Sequence, residues 1–170
     1  MAPLLIREVV PADHDAVRDL NTQAFNGNTE AELADHLRTS GAVVASLVAV
    51  ENNEIVGHIL FSDLPVEARL GVLHAVSLAP MAVLPSRQNQ GIGSALVLRG
   101  LELCRERGKS IVVVLGQPGY FPRFGFSVEM AKNLHGPYAG RAWMALELVP
   151  GALYGIRGMV RYPDAFGAFS

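Results

Sequence analysis

The chain has 170 residues, a length that suits one domain and is too short for two domains that each bury a sizeable core. Half of the residues are hydrophobic, 18% are charged and the mean hydropathy is +0.27, which excludes an intrinsically disordered chain. The formal net charge of −2 provides no general field for nucleic acid or an anionic membrane, so neither is an expected partner. Any recognition of phosphate must therefore be local.

The number of cysteines and the N-terminal residues indicate the cellular compartment in which the protein is expected. Cys104 is the one cysteine, so the sequence predicts neither an internal disulfide nor a cysteine-based metal site. The N-terminus lacks the basic region and apolar run of a signal peptide, and the longest charge-free stretch, residues 70–86, is shorter than the roughly 20 residues that span a bilayer. We therefore expect a cytoplasmic protein without bound metal or membrane contact.

The first forty residues predict one strand and two helices. Leu4 to Val10 is typical of a short strand, and Asp13 then offers an N-cap for an amphipathic helix. Thr29 and Glu32 have the spacing of a capping box, in which each side chain bonds the other residue's backbone N–H group. This spacing predicts that a second helix begins at Thr29.

Three antiparallel strands are predicted next. Residues 43–50 and 55–61 are apolar and rich in β-branched side chains, and the intervening Asn52 and Asn53 tolerate the positive φ of a type I′ turn, so the two runs predict a hairpin. Residues 72–83 predict a third strand, bent near Pro80 because proline cannot donate to the ladder of a sheet.

The second half of the chain predicts a long helix followed by short strands. Its predicted elements are a helix over 92–107, a buried strand over 111–115, a helical turn over 120–124, the start of a strand at 126–128 and a last strand over 143–149. Together with the first half, this order predicts an α+β fold.

A glycine-containing loop, residues 85–94, leads from the third predicted strand into the long helix. The first N–H groups of a helix lack partners and carry partial positive charge, so this position suits a phosphate, to which Arg87 can add a charge-assisted bond. Gly91 and Gly93 allow an anion to approach the backbone. Leu96 occupies the third glycine position of a dinucleotide fingerprint, and no lysine of a Walker loop is present, so both common nucleotide motifs are absent.

The loop resembles the signature of a known superfamily. Gln88-x-x-Gly91-x-Gly93 is similar to the [Q/R]-x-x-G-x-[G/A] signature of the GNAT superfamily of acetyl-CoA-dependent N-acetyltransferases. The order of elements is also similar, and the run from Tyr120 to Phe126 resembles the later aromatic-x-x-x-Gly-Phe segment of that superfamily. The resemblance covers about residues 4–150, is greatest to the bacterial YhbS-type branch, and implies a single N-acetyltransferase domain over 1–170 with a C-terminal tail over 150–170.

The resemblance implies a fold and a cofactor site. The fold is a mixed, mostly antiparallel central sheet flanked by helices, with a splayed parallel strand pair that holds the cofactor. The cofactor is acetyl-CoA, released as CoA, with no metal, and the residues implied to bind it lie in the loop and on the strand before it. They are Gln88, Asn89, Gln90, Gly91, Ile92, Gly93 and Ser94 for the pyrophosphate, and Met81, Ala82 and Val83 for the pantetheine arm.

The implied reaction transfers the acetyl group directly to a primary amine of a small molecule, peptide or protein. In the superfamily, a tyrosine four residues before the glycine of the Gly-Phe pair usually protonates the leaving thiolate, but Phe121 stands at that position here. Tyr120 is the neighbouring substitute. For the base that deprotonates the amine, His74, Glu67 and a water relay are the alternatives.

The missing tyrosine leaves a second function open. A protein that binds acyl-CoA without turnover, as a sensing module, is the alternative to the enzyme. An amine-bearing acceptor is the partner that the enzyme requires. The resemblance also allows a homodimer, because homodimers are common among relatives of this type.

Overall fold

An eight-stranded sheet organises the part of the chain that the computed structural model describes, which is residues 3–138, 142–164 and 166. The strands are β1 (Leu5–Glu8), β2 (Val43–Glu51), β3 (Glu54–Ala68), β4 (Gly71–Val83), β5 (Ile111–Leu115), β6 (Leu134–His135), β7 (Trp143–Glu147) and β8 (Gly158–Val160). The α-helices are α1 (His14–Phe25), α2 (Thr29–Thr39) and α3 (Ile92–Glu106). Short 3₁₀ turns cover Pro11–Asp13, Pro85–Arg87 and Phe121–Phe124.

The sheet is mixed but mostly antiparallel. Its main path runs β1-β2-β3-β4-β5-β7, and β4 and β5 form the parallel pair on that path. The short strand β8 pairs with the far end of β3 and with β6. This topology confirms the predicted α+β class and the mixed, mostly antiparallel sheet that the resemblance implies.

Strand β4 bends in the middle, and the bend opens a gap in the sheet. Between the pairs Ile59–Met81 and Phe61–Leu78, β4 carries one residue more than β3, which is a β-bulge at the predicted position next to Pro80. The parallel pairing of β4 with β5 ends at Leu78, so β4 continues to Val83 with β3 on one side and no strand on the β5 side among the described residues. The predicted splayed pair is therefore present.

Helix α3 packs on one face of the sheet through alternate residues of β3. A Cβ atom added at Gly57 would lie 2.9 Å from both Ile92 Cγ2 and Leu96 Cδ1, so the glycine permits this close approach. Leu96 is fully buried, and burying such a side chain contributes about 1.5–3 kcal/mol. The contact fixes the first turn of α3 beside the end of β4.

Helices α1 and α2 cover the other face, to which the intervening residues of β3 point. Leu60 packs in one apolar cluster with residues of α2. Beside it, His58 is buried beneath α1, where Asn21 Nδ2 lies 3.3 Å from His58 Nδ1 and Ser46 Oγ lies 3.1 Å from Nε2. Because the amide nitrogen can only donate, His58 Nδ1 accepts and Nε2–H donates to Ser46. Burial lowers the pKa of His58 to about 4.

Several local predictions are correct and others are wrong. The hairpin turn has Asn52 and Asn53 at positive φ, as expected. The capping box at Thr29 is wrong, because α2 already includes Thr29 and the Glu32 N–H donates to the backbone carbonyl of Asn28 (2.9 Å). The predicted strand at 126–128 is reduced to one bridge between Ser127 and Ala145, and the strand β8 was not predicted.

Candidate functional site

A cavity of about 730 Å³ opens where β4 and β5 diverge. One wall is the outer part of β4, from Leu78 to Val83, and the opposite wall is the end of β5 with the segment that follows it, Val114–Gln117. The start of α3 closes one end, and residues of α1 and α2 contribute to the lining as well. The bulge in β4 thus creates the space in which a ligand can lie between two strands.

The first turn of α3 faces this cavity with free backbone donors. The Ala95 N–H makes the first helical bond, to the Gly91 carbonyl (3.0 Å), so the N–H groups that precede it have no partner in the helix. No side chain of the described residues caps the helix. Gly91 has φ of +84° and open space around its missing Cβ, so the backbone presents its donors without obstruction. This arrangement suits an anionic group such as a diphosphate.

Most of the residues predicted to bind a cofactor line the cavity. They are Met81, Val83, Gln88, Asn89, Gly91, Ile92, Gly93 and Ser94. The two that do not are Ala82, which is buried in the sheet opposite His58, and Gln90. Gln88 Nε2 donates to the Val83 carbonyl (3.2 Å), which ties the loop to the end of β4.

Tyr120 places its hydroxyl group beside the start of α3. The Tyr120 Oη lies 3.1 Å from the Ser94 Oγ, and a Cβ added at Gly93 would also lie 3.1 Å from that oxygen. The Arg123 guanidinium stacks over the ring at 4.6 Å from its centroid, and its Nε donates to the Tyr120 carbonyl (3.0 Å). The half-buried tyrosine lines the cavity with its hydroxyl held by a neighbour.

Phe121 lies deeper and packs in the core. Its ring is 6% exposed and meets Phe126 edge to face, with 5.7 Å between the ring centroids. Tyr120 lies just before the 3₁₀ turn that begins at Phe121. The two residues are therefore not successive positions of an α-helix, in which their side chains would point about 100° apart. Both aromatic residues line the cavity, Phe121 with a ring buried in the core and Tyr120 with a half-buried side chain that carries a hydroxyl group.

The two predicted bases, His74 and Glu67, do not line the cavity. His74 is exposed and its Nδ1 lies 3.2 Å from the Asp63 carboxylate. It precedes Leu78 by four residues of β4, which is about 13 Å at the rise of a strand. Glu67 is exposed at the far end of β3 and pairs with Arg161 (2.9 Å). Their side chains therefore have partners at a distance from the reacting groups that the cavity would hold.

Sequence reasoning missed the contribution of the first two helices. Phe25, Glu30 and Leu33 line the cavity from α1 and α2. Among the described residues, Glu30 is the one acidic side chain in the lining. The position of Glu30 in the lining depends on packing between α2 and β4, and no local pattern in the sequence predicts it. Arg87 also lines the cavity, 3.4 Å from Glu51.

The described part of the chain provides neither a metal site nor a reactive thiol. The residues there include no group of three or more His, Cys, Asp or Glu side chains that could hold a metal ion. Cys104 is buried in α3, and this burial raises the pKa of its thiol to about 12, so it is not a nucleophile at neutral pH. Among the described helices, none combines the length and the apolar character that crossing a membrane requires.

Comparison with known proteins decides the family. Residues 14–126 match the Acetyltransferase (GNAT) family. This chain belongs to the GNAT family. It is 33% identical over 169 residues to the "Uncharacterized N-acetyltransferase YhbS" of Escherichia coli (strain K12), a match that covers 98% of this chain and 100% of that protein. A second relative in the same organism, the "Uncharacterized N-acetyltransferase YjhQ", is 36% identical over 68% of this chain and 65% of its own length.

Solved structures of GNAT proteins share the fold. The crystal structure of Escherichia coli YhbS in complex with CoA superposes with a TM-score of 0.90 at 32% identity, over 100% of this chain and 95% of that one. A GNAT acetyltransferase from Brucella melitensis in complex with acetyl-CoA gives a TM-score of 0.82 at 32% identity, over 98% and 99% of the two chains. The sheet with its splayed parallel pair, flanked by three helices, is the GNAT fold, and the resemblance found in the sequence is confirmed.

Proposed function

We propose that this GNAT protein transfers the acetyl group of acetyl-CoA to a primary amine. The observation that carries the proposal is that one cavity joins three features: the free donors at the start of α3, the unpaired edge of β4 and the Tyr120 hydroxyl. The two GNAT relatives with solved complexes contain CoA and acetyl-CoA, which supports the choice of donor.

The start of α3 would bind the pyrophosphate. The backbone N–H groups of residues 91–94 converge there without a helical partner, and the dipole of a helix of 15 residues adds partial positive charge. Gly91 keeps the approach open because no Cβ projects from it. The residues present therefore fit a diphosphate without any lysine in the loop.

The outer part of β4 would bind the pantetheine arm as an added strand. Beyond Leu78, β4 has lost β5 as a partner, so its backbone groups on that side are available to the amide groups of an extended ligand. Met81 and Val83 line the cavity along this edge. An arm bound along this edge would run from the pyrophosphate at the start of α3 to the point where β4 and β5 separate.

Acetyl-CoA supplies the acetyl group as a thioester, and an uncharged amine can attack the carbonyl carbon of that thioester. Tyr120 would donate its proton to the sulfur as the carbon–sulfur bond breaks. Ser94 holds the Tyr120 hydroxyl at 3.1 Å, and Arg123 fixes the ring from its other side. This role places a proton donor one residue before the position at which most GNAT enzymes have their tyrosine.

Turnover tests the proposal and separates it from the alternative. The wild-type protein is mixed with acetyl-CoA and a panel of primary amines, and the free thiol and the acetylated amine are both quantified. We expect the two products in equal amounts. Tight binding of acetyl-CoA without either product, across the panel, would favour a sensing module instead.

The role of Tyr120 has its own test. We expect Tyr120→Phe to lower kcat by about tenfold or more, because a general acid is lost, while the affinity for acetyl-CoA changes little. Tyr154→Phe is the matched control, since Tyr154 is 91% exposed and does not line the cavity. An unchanged kcat in Tyr120→Phe would remove Tyr120 from the reaction.

A further inference from the structure

The side of the cavity formed by α2 carries a carboxylate above the bend of β4. Leu33 is buried in one apolar cluster with Ala79, the residue next to the bulge, which fixes α2 against β4. Glu30 lies one helical turn before Leu33, on the same face of α2. Both residues line the cavity, so Glu30 is held near the point where β4 and β5 separate.

Glu30 differs in its pairing from the other charged residues that line the cavity. It makes no ion pair or side-chain hydrogen bond with any described residue. The two cationic residues in the lining have neighbours of their own, since Arg87 lies 3.4 Å from Glu51 and Arg123 stacks over Tyr120. Asp35, further along α2, pairs with Arg18. A half-buried carboxylate without a partner thus stands in a cavity that holds no other negative side chain among the described residues.

We infer that Glu30 binds the acceptor amine as its ammonium ion and takes a proton from it. This inference rests on the proposed acetyl transfer and names the class of its acceptor: a primary amine that is cationic at neutral pH and carries an apolar substituent. The substituent would lie against Phe25, which also lines the cavity and is 43% exposed. Charge complementarity selects the ammonium, because a carboxylate that has no ion-pair partner among the described residues can accept a charge-assisted hydrogen bond from a cation.

The protons and bonds balance in this scheme. Glu30 takes one proton from the ammonium and passes it to water, and the nitrogen lone pair so freed forms the bond to the acetyl carbon. The carbon–sulfur bond then breaks, and Tyr120 gives its proton to the sulfur. The nitrogen loses its second proton as the amide forms, which balances the proton that Tyr120 recovers. The products are the N-acetylated amine, CoA as a free thiol, and one proton in solution.

Glu30→Gln tests the inference, with Glu32→Gln as the matched control. Glu32 is exposed on the same helix and does not line the cavity. The acceptors are butylamine and phenethylamine, and kcat/KM for each is measured from neutral pH to about pH 10, together with the KM for acetyl-CoA. At pH 7 we expect Glu30→Gln to lose about tenfold to hundredfold in kcat/KM for the amines, because a hydrogen bond to a charged group is lost. Glu32→Gln should match the wild type.

The pH profile and the donor affinity identify the cause. The defect of Glu30→Gln should shrink toward pH 10. The ordinary pKa of a primary amine is near 10.4, so a growing fraction of the amine is then uncharged in solution and needs no base. The KM for acetyl-CoA should stay unchanged. An equal kcat/KM in Glu30→Gln and the wild type, or a loss that affects acetyl-CoA as strongly as the amines, overturns the inference. A wild type that acetylates no amine overturns the proposed function as well, whereas an active wild type with an unaffected Glu30→Gln overturns this inference alone.

Discussion

Replacing Gly93 by alanine tests whether the Tyr120 hydroxyl lies against the first turn of α3. The added Cβ would stand 3.1 Å from the Tyr120 Oη, which is tighter than ordinary van der Waals contact, so one of the two groups must move by a few tenths of an ångström. The Oη is also bonded to the Ser94 Oγ at 3.1 Å, so a movement of Tyr120 weakens that bond. The added methyl group should therefore have two opposing effects on the free energy of unfolding: alanine stabilises the helix, and the weakened hydrogen bond destabilises the protein.

Their magnitudes are similar, which makes the test informative. Alanine is more favourable than glycine in a helix by about 1 kcal/mol, and a neutral hydrogen bond contributes about 0.5–1.5 kcal/mol. In the wild-type background, Gly93→Ala should therefore change the free energy of unfolding by close to zero. In a Tyr120→Phe background the clashing oxygen is absent, so the same substitution should stabilise the protein by about 1 kcal/mol. The expected coupling between the two positions is about 1 kcal/mol.

Urea unfolding of the four proteins, followed by circular dichroism, measures this coupling. The cycle between Gly93→Ala and Tyr154→Phe serves as the control, and it should be additive because the two residues do not share a contact. If Gly93→Ala and Tyr120→Phe were additive within about 0.3–0.5 kcal/mol, the hydroxyl would not lie where the structure places it. The catalytic role proposed for Tyr120 would then lose its geometric basis.

Two buried titratable groups give further predictions. Because the pKa of His58 is about 4 in the folded protein and near 6.5 when unfolded, the unfolded chain binds more protons, and stability should fall by on the order of 3 kcal/mol between pH 6.5 and pH 4. His58→Gln should flatten this part of the pH profile and His36→Gln, at an exposed position, should not; equal profiles in both variants would contradict the assignment. Cys104, with its pKa raised by burial to about 12, should not react with a thiol reagent in the folded protein, and rapid labelling at neutral pH would contradict its burial.

The wall of the cavity where we propose that the cofactor binds could be predicted because its information is local. Gln88, Gly91 and Gly93 lie in one loop, and their spacing indicates both a turn and a helix start. The long helix and the strand after it were also predicted to within about one residue, because their apolar periodicity is strong and Gly108 ends the helix. The bend of β4 followed from the chemistry of Pro80 alone.

The α2 side of the cavity, where we propose that the acceptor binds, could not be predicted because it depends on contacts between distant segments. Glu30 reaches the cavity only through the packing of α2 on β4. Tyr120 was predicted as a site residue, but its contact with Ser94, 26 residues away in sequence, was not. His74 and Glu67 were predicted as bases because they lie on the central strands. Those strands extend far beyond the cavity, and the positions of the two residues along them could not be known without the register.

The binding of CoA to two glycine variants tests the central claim, that free backbone donors at the start of α3 hold the diphosphate. Gly91 and Gly108 flank the two ends of α3, both have positive φ (84° and 80°), and both have open space around the missing Cβ. Alanine at either position therefore costs a similar 1–2 kcal/mol of backbone strain.

Isothermal titration calorimetry with CoA, at a temperature where all three proteins are folded, then separates strain from ligand contact. We expect Gly91→Ala to bind CoA about tenfold or more weakly, while Gly108→Ala binds like the wild type. Equal affinity in the two variants would contradict the central claim.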